Sequence, residues 1–227
     1  MMNVAIVGYG KMGRMIESLA ASCEVNISHR LDLGWSEADL ATRPDAAIEF
    51  STPHAAVENL ERLAALAIPT VCGTTGWFSQ LDRVRNAFDR HRAALVYSAN
   101  YSIGVNVFQR LAAEAAALLK DEAMYEAWAW EIHHSAKQDA PSGTLLQLTA
   151  AMRAAGYARR IDESSSRAGA HPGTHEIGFD SAADTITLRH TARSREGFAR
   201  GALKAATWIK GKQGVHAFAD VLFGTAT

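Results

Sequence analysis

The sequence has few of the features that mark secreted, membrane-bound or nucleic-acid-binding proteins. It contains only two cysteines, Cys23 and Cys72, far apart and without metal-site spacing, so we expect a reduced, cytoplasmic protein. The formal net charge is -1, and without a basic excess we expect no nucleic-acid partner. No apolar run approaches the roughly 20 residues of a membrane span, and the chain opens on an apolar strand over 4–7 rather than a signal peptide. We therefore expect no membrane partner.

The order of predicted elements changes partway along the chain. The 227 residues, 48% of them hydrophobic and 21% charged, are enough for one large or two small domains. Up to Ser98 short apolar strands alternate with helices, which predicts a parallel sheet. From Ser102 come an alanine-rich helix over 106–120, an aromatic strand over 125–130, a polar loop over 156–175 and a strand pair over 175–190. We predict an α/β fold, a Rossmann-type doubly wound parallel sheet with a second, smaller α+β domain.

A glycine motif follows the first predicted strand and opens the first predicted helix. It reads Gly8-Tyr9-Gly10-Lys11-Met12-Gly13, the Gly-x-Gly-x-x-Gly arrangement in its proper context. Gly8 allows the tight turn, Gly10 lets a pyrophosphate approach the backbone, and Gly13 permits close helix packing. The helix N-terminus then offers its free N–H groups to phosphates. The motif predicts a bound dinucleotide.

Three further loops follow predicted strands of the same sheet. They are Ser51-Thr52-Pro53, Gly73-Thr74-Thr75-Gly76 and Ser98-Ala99-Asn100-Tyr101. The carboxyl ends of parallel strands meet at one edge of a sheet, so we expect all four loops to line one crevice.

The second predicted strand, over 25–28, ends at His29 and Arg30 rather than at the acid that usually reads a 2′-hydroxyl. A guanidinium forks onto phosphate oxygens, so His29 and Arg30 favour a 2′-phosphate and hence NADPH. Asp32 keeps NADH open, and a solvated surface arginine is an equal alternative.

The stretch from Glu131 to Thr144, EIHHSAKQDAPSGT, lies between the aromatic strand and a predicted helix. Adjacent side chains of a strand point to opposite faces, so His133 and His134 have different tasks. Histidine suits proton delivery near neutral pH, and Lys137 offers a cation for a carboxylate or for protonation.

The residues Ser142, Gly143 and Thr144 open the helix, and their N–H and hydroxyl groups form an anion site. Ser142 as a plain N-cap is an equal alternative, and Asp139 before Ala-Pro is a turn or cap residue. The cluster predicts a small dicarboxylate substrate.

EIHHSAKQDAPSGT closely resembles the signature of the dihydrodipicolinate reductase family. The resemblance also covers GYGKMG, EFSTP, GTTG, SANYSIGVN and THEIGFDSAADTITLRHTARSREGFARGALKAATWI, nearly the whole chain. It implies a Rossmann domain over 1–101 and 207–227, and a substrate-binding and oligomerisation domain over 102–206 whose sheet builds a homotetramer.

The resemblance also implies a reaction and site residues. His133 would donate the proton, Lys137 would be the second catalytic residue, and His134, Gly143 and Thr144 would bind the substrate carboxylates. The predicted anion site at the start of the helix adds Ser142 to these. NADPH or NADH would transfer a hydride to the unsaturated ring, on the diaminopimelate route to lysine. The cofactor residues that the resemblance implies are Gly8, Tyr9, Gly10, Lys11, Met12, Gly13, Gly73, Thr74, Thr75, Ser98, Ala99, Asn100 and Tyr101. The ends of the predicted strands add His29, Arg30, Ser51 and Thr52. Two departures from the family are the missing acid after the second strand and a short 31–43 connection.

Two other functions compete with a reductase. A metal-dependent hydrolase would draw its metal ligands from His133, His134, His171, His175 and His190. However, adjacent residues of a strand cannot both ligate one ion, and the glycine motif would have no role. We therefore expect no metal. A non-catalytic NAD(P)-binding regulator would bind the cofactor without needing the cluster over 131–144.

Overall fold

The computed structural model describes residues 1–32 and 34–224, and it divides the chain into two compact units. The first unit comprises Met1–Ile103 and Glu196–Thr227, and the second comprises Gly104–Arg195. Residues 225–227, which we placed in the first domain, lie outside the described residues.

Up to residue 154 the helices and strands follow the predicted order. In chain order they are β1 (Met2–Val7), α1 (Lys11–Ala20), β2 (Val25–Leu31), β3 (Ala46–Glu49), α2 (Pro53–Ala65), β4 (Thr70–Cys72), α3 (Leu81–Arg90), β5 (Ala94–Tyr97), α4 (Ile103–Leu119), β6 (Glu126–His133), α5 (Gly143–Ala154), β7 (Ile161–Arg167), β8 (Thr174–Asp180), β9 (Thr185–Thr191), α6 (Glu196–Ile209), β10 (Gly214–Ala217) and α7 (Phe218–Phe223).

The first unit contains a six-stranded sheet of order β10-β5-β4-β3-β1-β2, and every pair in it is parallel. The chain leaves β1 for β2 on one side and returns to β3 on the other, so strand order reverses at β1. Ligands of doubly wound sheets bind at the carboxyl ends of the strands beside such a reversal. The predicted fold class is confirmed, and the glycine turn lies at the position this fold uses for ligands.

The connection from β2 to β3 is short, as its polar sequence predicted. Among its described residues it holds only a 3-10 turn, Glu37–Asp39. Ser36 and Asp39 close that turn with a capping box.

The second crossing between the units lies at 195/196, not at the predicted 206/207. The whole of α6 belongs to the first unit because its small apolar residues pack into the core under the parallel sheet. The approach is close: a Cβ on Gly201 would lie 1.8 Å from the carbonyl oxygen of Tyr101. The predicted tail over 211–223 contains β10, which pairs with β5, and α7, so this segment belongs to the first unit.

The second unit contains a four-stranded sheet of order β7-β6-β8-β9. β7 runs parallel to β6, and the other two pairs are antiparallel. Residues of α4 and α5 pack on one face of this sheet. The prediction of a loop over 156–175 is wrong for Ile161–Arg167, because β7 is an exposed edge strand of polar residues and shows no apolar alternation.

Within residues 1–32 and 34–224, no helix is both long enough and apolar enough to cross a membrane.

Candidate active site

The turn after β1 has the geometry of a dinucleotide-binding loop. Gly8 has a φ of +92°, and a Cβ there would lie 2.3 Å from the carbonyl oxygen of Phe50, so only glycine fits. A Cβ on Gly13 would lie 2.7 Å from the carbonyl oxygen of Gly8, so α1 packs directly on the turn. A Cβ on Gly10 would meet no described atom within 4 Å. The open space above the N-terminus of α1 therefore fits a pyrophosphate.

The other predicted cofactor loops follow β3, β4 and β5, which are neighbours in the same sheet. Glu49, fully buried at the end of β3, accepts a hydrogen bond from the backbone N–H of Ser51 at 3.1 Å. The same N–H donates to Thr74 Oγ1 at 2.8 Å, which joins the loops after β3 and β4. Thr52 and Thr75 remain exposed.

The side chain of Tyr101 lies in the core of the first unit. It is 1% exposed, and its hydroxyl donates to the carbonyl oxygens of Cys72 at 3.0 Å and Val96 at 2.9 Å. Only the main chain of Tyr101 is therefore placed to contact a cofactor. Ser98 Oγ accepts from the backbone N–H of Asn100 at 3.0 Å, which tightens the loop after β5.

Arg30 at the end of β2 is paired with α1. Its guanidinium donates to Glu17, and the hydroxyl of Tyr9 donates to the same carboxylate. The hydrogen bonds from Arg30 and Tyr9 lower the pKa of Glu17. His29 Nδ1 lies 2.9 Å from Ser28 Oγ.

The prediction that no acid follows the second strand is wrong, because the strand is longer than predicted. β2 continues to Leu31, and Asp32 is the first residue after it. Asp32 lines a cleft of about 80 Å³ together with Gly8 and Ser51. An acid therefore stands where a dinucleotide-binding fold places its ribose reader.

In the second unit, polar side chains converge on one face of the sheet. Glu131 and His133 are two residues apart on β6 and so share a face. β7 places Ser165 opposite Glu131 and Arg167 opposite His133, and β8 places His175 opposite Glu131. Strand register therefore assembles groups that are far apart in sequence.

Glu131 is the centre of this cluster and is fully buried. Its Oε1 accepts from the backbone N–H of Ser142 at 2.8 Å, from Ser165 Oγ at 2.9 Å and from Arg167 Nη2 at 2.9 Å. Burial raises the pKa of this carboxyl, but Ser142, Arg167 and Ser165 outweigh it through hydrogen bonds and lower the pKa to about 2. Glu131 is therefore an anion at neutral pH.

The other oxygen of Glu131 faces two histidines. Oε2 lies 3.3 Å from Nδ1 of His133 and 3.3 Å from Nε2 of His175. Burial lowers the pKa of His133, and Glu131 opposes this effect. Burial and the neighbouring His133 lower the pKa of His175 to about 4, so His175 is neutral near pH 7.

The loop after β6 carries the remaining predicted catalytic residue. Lys137 Nζ donates to the two carboxylate oxygens of Asp139 at 2.8 and 2.9 Å, and this contact lowers the pKa of Asp139. His134 is half-buried, and its carbonyl oxygen accepts from the backbone N–H of Lys137 at 3.1 Å. The cation therefore lies within a short turn that begins at His134.

Ser142 acts as the N-cap of α5, which is one of its two predicted roles. Its Oγ accepts from the backbone N–H of Leu145 at 3.2 Å, and the residue is 2% exposed. Gly143 is exposed and Thr144 is half-buried, so they present the start of α5 to solvent. Helix N-terminal N–H groups attract anions such as carboxylates.

Sequence reasoning missed Glu131, Arg167 and His175 as members of this cluster. Glu131 and His133 alternate within a strand, and that spacing was a usable signal. Arg167 and His175 became neighbours only through the pairing of β6 with β7 and β8.

Glu131, His133 and His175 are also spaced for a metal ion, because their ligand atoms lie within 4.8 Å of one another. The argument against adjacent histidines does not exclude this trio. However, Arg167 already holds the other oxygen of Glu131, and its guanidinium would repel a bound cation.

Comparison with known protein sequences gives one consistent family. The family model "Dihydrodipicolinate reductase, N-terminus" matches residues 23–101, and "Dihydrodipicolinate reductase, C-terminus" matches residues 104–222. A 4-hydroxy-tetrahydrodipicolinate reductase from Christiangramia forsetii is 37% identical over 97% of this chain and 98% of its own length. One from Methanoregula boonei is 39% identical over 82% of this chain and 78% of its own length.

A solved structure shares the fold. A dipicolinate-bound dihydrodipicolinate reductase from Paenisporosarcina sp. TG-14 matches with a TM-score of 0.81, at 21% identity, over 96% of this chain and 97% of its own.

Proposed function

The chain belongs to the dihydrodipicolinate reductase family, and we propose how its residues carry out the family's reaction. That reaction is the reduction of 4-hydroxy-tetrahydrodipicolinate with NAD(P)H, on the diaminopimelate route to lysine. The observation that carries the proposal is the buried cluster of Glu131 and His133 beside the start of α5. It combines a proton donor with an anion site within one stretch of chain.

On the substrate side, His133 donates the proton that completes reduction of the ring. Its Nδ1 faces Glu131, and Nε2 is the nitrogen that gives the proton. Lys137 attracts a substrate carboxylate and assists protonation. Gly143 and Thr144 bind a carboxylate through the N-terminus of α5, and His134 also binds the substrate. Ser142 supports them as the N-cap, because its own N–H and hydroxyl bond within the protein.

On the cofactor side, the turn over 8–13 receives the pyrophosphate, and the loops after β3, β4 and β5 line the rest of the site. The support is the open space at Gly10 and the tight packing at Gly8 and Gly13. NAD(P)H, when bound, supplies the hydride.

For cofactor preference we propose NADH rather than the NADPH expected from sequence. Asp32 follows β2 and lines the same cleft as Gly8, where an acid accepts from ribose hydroxyls and repels a 2′-phosphate. Arg30 is held by Glu17, so its charge is partly compensated.

The preference is tested by comparing kcat/KM for the two cofactors. We expect NADH to be favoured by about tenfold or more, since a hydrogen bond to a charged group is worth about 1.5–3 kcal/mol. Asp32→Ser should raise relative NADPH use, whereas Glu37→Gln, which removes a charge from the same connection, should not. A wild-type preference for NADPH would contradict the role of Asp32.

We also propose a homotetramer, as the family resemblance implied, and a cytoplasmic location. The support for assembly is the face of the second sheet turned away from α4 and α5, where Trp128 and Trp130 are half-buried. Light scattering should give about four times the chain mass of 24.5 kDa. A monomeric mass at working concentration would contradict the tetramer.

The reaction is tested by following NADH and NADPH oxidation with enzymatically generated substrate. His133→Gln and Lys137→Met should lose turnover by about 10²-fold or more while cofactor affinity is kept. His171→Gln, on an exposed loop, is the matched control and should be unaffected. Tight cofactor binding without wild-type turnover would favour the non-catalytic regulator.

A further inference from the structure

We propose that Glu131 is a positioning residue: it fixes the tautomer and orientation of His133 and anchors the start of α5. The inference rests on the proposed role of His133 as the proton donor. One buried carboxylate then supports both the acid and the anion site.

The first step is that one oxygen of Glu131 is fully committed. Oε1 accepts three hydrogen bonds, from Ser142 on the loop before α5 and from Ser165 and Arg167 on β7. Three donors on two separate segments prevent rotation of the carboxylate, because rotation would break all three bonds in a buried site. The direction of Oε2 is therefore set by the fold.

The second step concerns the two atoms that face each other. Among the described residues, Glu131 Oε2 and His133 Nδ1 are buried without a hydrogen-bond partner, and they lie 3.3 Å apart. A buried anionic oxygen requires a donor. A hydrogen on Nδ1 would be attracted to the anionic oxygen at this distance, which leaves Nε2 as the reacting nitrogen.

The second histidine does not replace His133 in this role. His175 Nε2 is also 3.3 Å from Glu131 Oε2, but it lies 3.2 Å from Ser142 Oγ as well. Nε2 of His175 can therefore bond to Ser142 instead of Glu131, whereas Nδ1 of His133 has no second partner among the described residues.

The charges around His133 come from four segments and oppose one another. Burial has the largest effect and lowers the pKa of His133, and the cations Lys137 and Arg167 lower it further. The negative charge of Glu131 raises the same pKa. Removal of the negative charge of Glu131 should therefore lower the pH at which His133 loses its proton. The groups facing it are Glu131 on β6, Arg167 on β7, His175 on β8, and Lys137 and Asp139 on the loop after β6.

The test compares Glu131→Gln with Glu126→Gln, which makes the same change at an exposed position of the same strand. The amide introduced by Glu131→Gln would keep the shape of the side chain but could turn its N–H₂ toward His133 Nδ1. We expect kcat/KM to fall by about 10- to 100-fold, less than removal of a positioned acid. The alkaline limb of the kcat/KM profile should move to lower pH, which a merely structural role would not produce. Glu131→Asp should restore the pH profile, and Glu126→Gln should match wild type.

A second measurement requires no variant. Nitrogen-15 NMR of the unmodified protein should show neutral His133 protonated on Nδ1, and a neutral His133 protonated on Nε2 would overturn the inference. An unchanged kcat/KM and pH profile in Glu131→Gln, alongside a collapse in His133→Gln, would overturn it as well. Full turnover in His133→Gln would instead count against the proposed proton donor, and the NMR result would still decide the tautomer.

Discussion

Gly173 gives His133 the room to present its Nε2, and replacing it with alanine should misplace that nitrogen. A Cβ on Gly173 would lie 2.9 Å from His133 Nε2 and 3.1 Å from its Cδ2. Ordinary contact begins at 3.4 Å, so the ring must move by about half an ångström. Gly173→Ala therefore acts on the reacting edge of the imidazole.

The expected loss of kcat follows from how sharply catalysis depends on the position of the reacting nitrogen. A displacement of about 1 Å can cost about 10²-fold, so half of it should lower kcat by about tenfold. Gly173 also has a φ of +137°, and a side chain there should cost about 1–2 kcal/mol of stability. Cofactor affinity should stay unchanged, because Gly173 lies in the second unit.

Gly169→Ala is the matched control. Gly169 lies in the same loop and also has a positive φ, +52°, but a Cβ there would meet no described atom within 4 Å. Both variants should lose stability in urea unfolding, and only Gly173→Ala should lose kcat in the cofactor-oxidation assay. Equal kcat in two folded variants would refute the assignment of Nε2 as the reacting nitrogen.

Three further predictions concern charge and hydrogen bonding. The pKa of Glu131, lowered from 4.5 to about 2, corresponds to about 3 kcal/mol of stability that is present above about pH 4.5 and lost as pH falls through about 2. The difference in unfolding free energy between wild type and Glu131→Gln should therefore shrink by about 2 kcal/mol from pH 7 to about pH 3; a constant difference would contradict the lowered pKa. Tyr101→Phe should lose about 1–2 kcal/mol in urea unfolding, because its hydroxyl bonds two buried carbonyls; a neutral result would mean that those carbonyls find other donors. Asp139→Asn should bind dipicolinate about two- to fivefold tighter by calorimetry, because an exposed ion pair worth about 0.2–1 kcal/mol no longer competes for Lys137; weaker binding would show that Asp139 positions the lysine instead.

Local features of the sequence were enough to predict the alternating strands and helices over residues 1–98 of the first unit. The spacing of the glycines at 8, 10 and 13 predicts a tight turn packed against a helix, and the structure shows that turn. Apolar strands alternating with helices determine a parallel sheet, because parallel strands need a crossover between them. The start of α5 was similarly visible in Ser142-Gly143-Thr144.

The boundaries that failed were those set by packing. β2 continues through His29 and Arg30 to Leu31 because β1 continues beside it, and this moves Asp32 to the strand end. β7 forms because its backbone hydrogen-bonds to β6. Its own polar residues show no strand periodicity. α6 belongs to the first unit because its alanines pack into the core under the parallel sheet.

The sequence by itself determined the fold class, the glycine turn over 8–13 and the stretch that holds His133, because each depends on residues close together in the chain. Only the tertiary structure decided the surroundings of His133. Strand register places Arg167 and His175 around Glu131. Hydrogen bonds assembled there lower the pKa of the Glu131 carboxyl, and burial lowers the pKa of His175. Pairing across strands and exclusion of water depend on the whole fold, so no local pattern reports them.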